Sequence, residues 1–140
     1  MDVRIAATEQ EKADAYSVRR QVFVEEQNVP PELEIDDLED IAIHFVGYEN
    51  HIPVAASRLR LVEDYGKLER ICVLKEHRGK SYGKDIISRM EAYIQDKGLQ
   101  KSKLNAQTHA EGFYKSLGYK TISDTFMDAG IPHVTMIKSL

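Results

Sequence analysis

The sequence predicts a single α/β domain in which helices cover both faces of a mixed β-sheet. Two observations lead to this prediction. Segments with the two-residue alternation of strands occur among segments with helical spacing, in the order strand, helix, three strands, helix, strand, helix and two strands. In addition, a chain of 140 residues has the size that one hydrophobic core supports, so residues 1–140 are expected to form one domain.

The first part of the chain is predicted to form a short strand, from Val3 to Ala6, and then a helix. Thr8 and Glu11 have the spacing of a capping box, in which each side chain accepts a hydrogen bond from the other residue's free N–H. Apolar residues at helical spacing continue the helix to about Val24. The acidic segment NVPPELEIDDLED then forms a loop or a short irregular helix, because its two prolines interrupt backbone hydrogen bonding.

Three strands and a helix are predicted in the middle of the chain. The strands, Ile41 to Tyr48, Pro53 to Val62 and Lys67 to Leu74, are separated by turn residues, which is typical of an antiparallel meander. The helix covers Gly83 to Lys97, where apolar residues recur at helical spacing, and Gly98 is placed to cap its C-terminus.

The last third of the chain is predicted to contain a strand, a short helix and a closing pair of strands. The strand covers Ser102 to Gln107, and the helix covers Ala110 to Leu117. The closing strands, Tyr119 to Phe126 and His133 to Ile137, are joined through turn residues at positions 128–130.

The composition is that of an ordinary globular protein and limits the possible partners. The net charge of −4 comes from acidic and basic residues that are mixed along the chain, without the long basic run that nucleic acid would favour. Cys72 is the only cysteine, which excludes an internal disulfide and fits a reducing compartment. No apolar segment approaches transmembrane length. We therefore expect a cytoplasmic protein without nucleic-acid or membrane partners.

The stretch HRGKSYGKDII joins the third strand of the meander to the next helix and has the character of an anion site, because free N–H groups and the helix dipole meet there. A P-loop would need glycine at position 74, which is Leu74. The shorter pattern [RQ]xxGxG, which binds the pyrophosphate of coenzyme A, is matched at Arg78 and Gly83 but has Ser81 as its middle residue. From these residues alone, a coenzyme A loop and a plain strand-to-helix connection both remain open.

Four blocks, spread over nearly the whole chain, resemble the GNAT superfamily of acyl-CoA-dependent N-acyltransferases, in its ElaA/YjcF-like branch. The blocks are RRQVFVEEQNVP with EIDDLED and AIHF, LERICVLKEHRGKSYG, LNAQTHAEGFYKSLGYK, and DAGIPHVTM. The resemblance implies the GNAT fold, a mixed and mostly antiparallel sheet of about seven strands that splays between strands 4 and 5 so that acetyl-CoA lies in the gap. It also implies direct transfer of the acetyl group to a primary amine of a small molecule or peptide, and a possible homodimer.

The resemblance further implies which residues bind the cofactor. Backbone groups of Ile71, Cys72 and Val73 would pair with the pantetheine arm, and the Val73 N–H would donate to the thioester oxygen. Asn105 would hydrogen-bond the same arm. The pyrophosphate would contact Arg78, Gly79, Lys80, Ser81, Tyr82, Gly83 and Lys84.

The catalytic acid follows from the same resemblance, and a candidate base follows from the pattern of the third strand of the meander. Tyr114 matches the tyrosine that protonates the departing thiolate in many members, and a phenol with a pKa of about 10 remains an acid at neutral pH. Strict alternation predicts that Glu69 shares a strand face with Val73, from which it could act as a general base through a water. Cys72 as a nucleophile is disfavoured, because mid-strand cysteines usually pack as small apolar residues.

The acceptor amine is expected near the acidic segment and two histidines. Glu34, Asp36 and Asp37 are alternatives to Glu69 as the general base, and the acidic segment would steer a cationic amine. The same charges could serve only to keep the segment solvated. His44 and His133 lie in the AIHF and GIPH blocks. Because no histidine pair has HxH or HxxxH spacing, no metal site is predicted.

Two other functions remain open at this point. Ser81 in place of glycine would fit a non-catalytic acyl-CoA-binding sensor. The segments RRQVFVEEQ and EIDDLED resemble acyl-homoserine lactone synthases, but the chain is short for that family and contains no tryptophan.

Overall fold

A computed structural model describes residues 1–140 and contains one eight-stranded sheet with helices on both faces. The strands are β1 (Asp2–Ile5), β2 (Ile43–Glu49), β3 (Ile52–Val62), β4 (Tyr65–Val73), β5 (Lys101–Gln107), β6 (Lys120–Thr121), β7 (Phe126–Asp128) and β8 (Ile131–Ser139). The helices are α1 (Glu9–Arg19), which continues as a π-helical segment (Arg20–Glu26), α2 (Pro31–Glu34), α3 (Tyr82–Asp96) and α4 (Glu111–Ser116). None of the helices is long and apolar enough to cross a membrane.

The strand order of the sheet is β1-β2-β3-β4-β5-β8-β6, and β7 also pairs with β8. All neighbouring strands are antiparallel except β4 and β5, which are parallel. The predicted mixed, mostly antiparallel sheet is thus confirmed. It has one more strand than expected, because the segment predicted as one strand from Tyr119 to Phe126 divides into β6 and β7.

The parallel strands β4 and β5 stay together for only three residue pairs. Gly66 pairs with Ser102, and the pairing ends where Leu68 meets Leu104. A side chain on Gly66 would overlap Ile94, so glycine allows α3 to pack closely against the sheet at this point. Beyond Leu68 and Leu104 the strands diverge, which confirms the predicted splay and leaves the sheet open.

Two apolar clusters lie on the two faces of the sheet. The larger cluster contains 14 buried residues and joins the sheet to α3 through Ile86, Met90 and Ile94. The smaller cluster contains 7 buried residues and joins the other face to α1 through Ala15 and Val18. Helix α1 begins with the predicted capping box, in which Glu11 N–H donates to Thr8 Oγ1 over 3.1 Å.

A β-bulge in β4 breaks the alternation of its side chains. Ala56 of β3 pairs with Cys72 of β4. Arg58 lies two residues after Ala56, but its partner Glu69 lies three residues before Cys72. One residue of β3 therefore faces two residues of β4. The bulge includes Arg70, whose φ of 56° lies in the left-handed region that L-residues rarely adopt.

The bulge changes which residues of β4 share a face. Because paired residues lie on the same face, Glu69 and Cys72 both face the α1 side, where Cys72 belongs to the smaller cluster. Ile71 and Val73 pack against the larger cluster on the α3 side. The prediction that Glu69 shares a face with Val73 is therefore wrong, because strict alternation does not account for the extra residue.

Candidate active site

A cleft of about 1040 Å³ lies where β4 and β5 diverge. Its walls include residues of the π-helical segment on one face of the sheet and of α4 on the other, so the cleft passes through the sheet. The predicted site residues that line it are Glu34, Asp36, Glu69, Ile71, Cys72, Val73, Arg78, Gly83, Asn105, Tyr114 and His133. Asp37 and His44 do not line it.

A second cavity, of about 370 Å³, lies over the loop before α3. It is bordered by the predicted loop residues Arg78, Gly79, Ser81, Tyr82, Gly83 and Lys84. The N–H groups of residues 79–84 make no hydrogen bond within the chain, and the first helical bond is from Asp85 N–H to Ser81 O, 3.1 Å. Six successive free donors at a helix N-terminus can cradle an anion.

Ser81 is held in the left-handed region, with φ 64° and ψ 19°, at the N-terminus of α3. Glycine adopts this conformation without steric cost, which explains why the pattern prefers glycine here. The Ser81 side chain makes no capping hydrogen bond. Serine therefore leaves the path of the loop backbone intact and adds local strain.

The two cations of the loop are already paired with carboxylates. Arg78 donates to both carboxylate oxygens of Glu26, over 2.7 and 2.6 Å, and the hydrogen bond from Arg78 lowers the pKa of that carboxyl. Lys80 Nζ is 3.3 Å from a carboxylate oxygen of Glu49. Neither carboxylate had a signal in the sequence, because both pairs join residues that are distant along the chain.

The edge of β4 presents a free backbone donor to the cleft. Leu74 N–H donates to Val54 O over 2.9 Å, and backbone groups of an antiparallel pair alternate between the two sides of a strand. Val73 therefore directs its N–H away from β3, into the gap left by β5. Cys72 is paired with Ala56 and so directs its backbone groups toward β3, not toward the cofactor position expected for it.

The Cys72 thiol is unsuited to act as a nucleophile, whereas Asn105 has free hydrogen-bond donors at the cleft. Burial raises the pKa of the Cys72 thiol to about 12, and its Sγ lies 3.7 Å from Ala56 O, so a nucleophilic thiolate is disfavoured. Asn105 is exposed and accepts a hydrogen bond from Thr135 Oγ1 over 2.9 Å, which leaves its amide N–H groups free.

Tyr114 lies on α4 and is buried against the rings of Phe113 and Tyr119. Its hydroxyl makes no hydrogen bond within the chain and is not sealed from solvent. Buried tyrosine hydroxyls usually have a partner, so this one is available to a ligand. Burial raises the pKa of Tyr114 above its ordinary value, and the phenol therefore stays protonated at neutral pH.

Glu69 is surrounded by cations. Its carboxylate accepts hydrogen bonds from Arg60 Nε over 2.8 Å and Arg58 Nε over 3.1 Å, and Lys67 Nζ is 3.4 Å away. Burial alone would raise the pKa of Glu69, but the bonds from Arg60 and the charges of Arg58 and Lys67 hold it below its ordinary value. The carboxylate is therefore a weak base.

The acidic segment is anchored and only partly solvated. Glu34 is 2% exposed and bonds Arg19 over 2.7 Å, and Asp36 bonds Arg58 over 2.7 Å. Asp37 is exposed and lies outside the cleft. Because Glu34 and Asp36 are committed to arginines, they have little charge left to attract a cationic amine.

The two predicted histidines have different surroundings. His44 is buried outside the cleft, where its Nε2 lies 2.9 Å from Glu39 O, and burial lowers its pKa. His133 lines the cleft, and its Nδ1 lies 2.7 Å from Ile131 O. A carbonyl can only accept, so Nδ1 carries the proton in neutral His133 and Nε2 is left as a free acceptor.

Six charged residues that line the cleft had not been predicted there: Glu26, Arg58, Arg60, Lys67, Arg70 and Asp128. The alternation of β3 indicated that Arg58 and Arg60 share a face, but only the register with β4 brings that face to the cleft. No group of three or more His, Cys, Asp or Glu side chains is arranged to hold a metal ion.

The opened sheet and the anion-binding loop together define the class of protein. Parallel strands that diverge beside a helix N-terminus with free amides form the arrangement expected of acyl-CoA-dependent N-acyltransferases. The model of the acetyltransferase (GNAT) domain family matches residues 6–140, so the chain belongs to the GNAT acetyltransferase family. The family predicted from the sequence is thus confirmed, and the chain is an N-acetyltransferase.

Two curated relatives identify the branch of the family. YjcF of Bacillus subtilis (strain 168), named as an uncharacterized N-acetyltransferase, is 50% identical over 139 residues, covering 99% of each chain. Protein ElaA of Escherichia coli (strain K12) is 30% identical over 128 residues, covering 88% of this chain and 84% of ElaA. The predicted ElaA/YjcF-like branch is confirmed.

Two solved structures have the same fold. A protein of Lactobacillus plantarum has a TM-score of 0.93 and 27% identity, with coverage of 99% of this chain and 97% of that one. An aminoglycoside 6'-N-acetyltransferase complexed with coenzyme A has a TM-score of 0.80 and 15% identity, with coverage of 99% and 97%. At that lower identity, the likeness concerns the fold alone.

Proposed function

We propose that this protein transfers the acetyl group of acetyl-CoA directly to a primary amine in a ternary complex. The observation that carries this proposal is the continuity between the free Val73 N–H in the gap between β4 and β5 and the free amides of residues 79–84. A pantetheine arm along β4 would lead its pyrophosphate to those amides. Family membership and the coenzyme A complex of a protein with the same fold support this arrangement.

The strand edge would stabilise the transition state. As the amine attacks the thioester carbonyl carbon, negative charge develops on the carbonyl oxygen, and the free Val73 N–H would donate a hydrogen bond to it. Holding both reactants in one cleft also removes much of the entropy cost of bringing them together.

Two side chains of the cleft would transfer the protons. His133 Nε2, which is free to accept, would take the proton that the amine loses on forming the new C–N bond. Tyr114, whose hydroxyl is free and protonated, would give a proton to the coenzyme A thiolate when the C–S bond breaks. The proposal for Glu69 becomes secondary, because three cations stabilise its ionised form. Proton exchange with water then restores both groups.

The first experiment measures cofactor binding and turnover. Isothermal titration with acetyl-CoA should show one saturable site, and release of free thiol should follow when a panel of primary amines is added. Absence of acetyl-CoA binding would refute the proposed function. Binding without transfer to any amine would instead favour the non-catalytic sensor that Ser81 had suggested.

A further inference from the structure

The wall of the cleft formed by β3, β4 and the acidic segment has more positive than negative charge. Its ion-pair network contains five cations, Arg19, Arg58, Arg60, Lys67 and Arg70, but only four carboxylates, Glu34, Asp36, Glu39 and Glu69. Every one of these carboxylates lies within 4 Å of at least two of the cations. The acidic segment is therefore neutralised where it meets the cleft, and the network of five cations and four carboxylates has a net charge of +1.

Three of these cations, which we call the basic wall, line the cleft with donors still free: Arg60, Lys67 and Arg70. Their side chains are 18%, 27% and 24% exposed, so they are accessible but partly desolvated. The Nη1 atoms of Arg60 and Arg70 make no hydrogen bond within the chain, and Lys67 Nζ has only Glu69 nearby, at 3.4 Å. Burial and the charges of Arg58 and Arg19 lower the pKa of Arg70, as expected for a guanidinium with too little negative charge around it.

The opposite wall of the cleft offers hydrogen-bond acceptors instead of cations. Asp128 of β7 lines the cleft, is exposed and has no cation bound to it. His133 of β8 lines the same wall, with its Nε2 free to accept. Since β7 and β8 lie on the β5 side of the splay, a molecule in the cleft would meet cations with free donors on one side and an acceptor-rich surface on the other.

We propose that the acetyl acceptor is a primary amine that also carries an anionic group, which the basic wall binds while the amine faces Asp128 and His133. Guanidinium groups bind carboxylate and phosphate oxygens with directional, charge-assisted hydrogen bonds, and either anion would supply the missing negative charge. This inference rests on the proposed acetyltransferase function. It differs from the expectation from the sequence that the acidic segment steers a cationic amine.

The test compares acceptors that differ only in the anionic group. Turnover is measured with β-alanine and its amide, with O-phosphoethanolamine and ethanolamine, and with putrescine as a purely cationic amine. The expected kcat/KM is higher by about tenfold or more for the anionic member of at least one pair. The β-alanine pair reports on carboxylate and the phosphoethanolamine pair on phosphate. A preference for putrescine or for the neutral members would overturn the inference.

Variants of the basic wall show whether it is responsible for this preference. Arg70→Gln and Lys67→Met should each raise KM for the anionic acceptor by about tenfold, with little change in kcat or in KM for acetyl-CoA. Arg89→Gln is the matched control, because Arg89 lies on α3 outside both cavities and should leave the preference unchanged. An anionic preference that survives in both basic-wall variants contradicts the assignment. Acetylation of amines without any anionic preference defeats this inference alone, whereas failure to bind acetyl-CoA also defeats the proposed function.

Discussion

The proposed proton transfers depend on two side chains whose polar atoms are free within the cleft. The Tyr114 hydroxyl has no partner in the chain, and burial raises its pKa, so it is available as an acid. The His133 ring donates through Nδ1 to Ile131 O, which leaves Nε2 to accept. One group can therefore give a proton to the thiolate while the other takes a proton from the amine.

Removing the Tyr114 hydroxyl should slow catalysis without weakening cofactor binding. We expect Tyr114→Phe to lower kcat by about 100-fold, because the thiolate would depart without a positioned acid, while the Kd for acetyl-CoA changes less than about twofold. Thiol-release kinetics and calorimetric titration measure the two quantities. Tyr65→Phe is the matched control, since Tyr65 lies outside both cavities. An unchanged kcat in Tyr114→Phe would remove this residue from the mechanism.

The two base candidates should differ in their effect on turnover. His133→Gln should lower kcat by about 100-fold, because glutamine has no basic nitrogen to take the proton of the amine. Glu69→Gln should lower kcat much less, since three cations already stabilise the ionised carboxylate of Glu69. Thiol-release kinetics of the wild-type protein and both variants provide the test. A large loss of kcat in Glu69→Gln, with little loss in His133→Gln, would restore Glu69 as the base.

Substitutions of Ser81 and Gly83, at the start of α3, should have opposite effects on coenzyme A binding. Ser81→Gly should preserve or tighten coenzyme A binding, because glycine adopts the φ of 64° without strain. Gly83→Val should abolish binding. A Cβ added at Gly83 would lie 3.4 Å from Phe113 Cζ, and the rest of a branched side chain would extend into the cavities that Gly83 lines. Calorimetric titration of both variants is the measurement. If the order were reversed, the loop would be only a connection.

Individual site residues were predictable from the sequence where a local pattern or family block determines their position. Gly83, Tyr114 and His133 lie at the cleft for this reason. The hydrogen bonding and basicity of each side chain were not predictable, because they depend on partners distant in sequence. Glu69 is an example: its residue type suits a base, but the arginines that β3 brings beside it make it a weak one.

At the scale of elements, buried ion pairs attach the acidic segment to α1 and to the sheet. Arg19 is fully buried and contacts Glu34 over 2.7 Å and Glu39 over 2.8 Å. Arg58 continues the network from Glu39 to Asp36. These pairs fix the acidic segment beside the cleft.

Removing Arg19 should therefore destabilise the fold strongly. Arg19→Met would leave two buried carboxylates without their main partner, and breaking a buried ion pair in this way costs about 3–5 kcal/mol of unfolding free energy. Arg20→Met is the matched control, because Arg20 is its neighbour but is 67% exposed. Urea unfolding of both variants gives the comparison. Equal stability of the two variants would show that the network contributes little.

The elements themselves differ in how well local sequence predicts them. The capping box and apolar stripe of α1 are local signals, and both appear as predicted. The bulge in β4 left no local signal, because it is defined by the register with β3, in which Arg58 pairs with Glu69. That one extra residue turns Glu69 away from Val73 and explains the error in its predicted face.

At the scale of the whole molecule, the open sheet is the feature that links fold to function. The chain closes a core on each face, but β4 and β5 no longer pair with each other beyond Leu68 and Leu104. Matching blocks along the sequence were sufficient to predict this architecture. They did not predict which charged groups of the cleft keep free donors, because that depends on ion pairs between residues distant in sequence.

Hydrogen exchange with and without acetyl-CoA tests most directly whether the cofactor lies in this opening. The Val73 N–H and the amides of residues 79–84 have no partner in the free protein, so they should exchange rapidly. Saturating acetyl-CoA should slow exchange in both segments by about tenfold or more and leave β1 and β2 unchanged. Binding of acetyl-CoA that protects neither segment, or that protects a different surface, would contradict a cofactor site between β4 and β5.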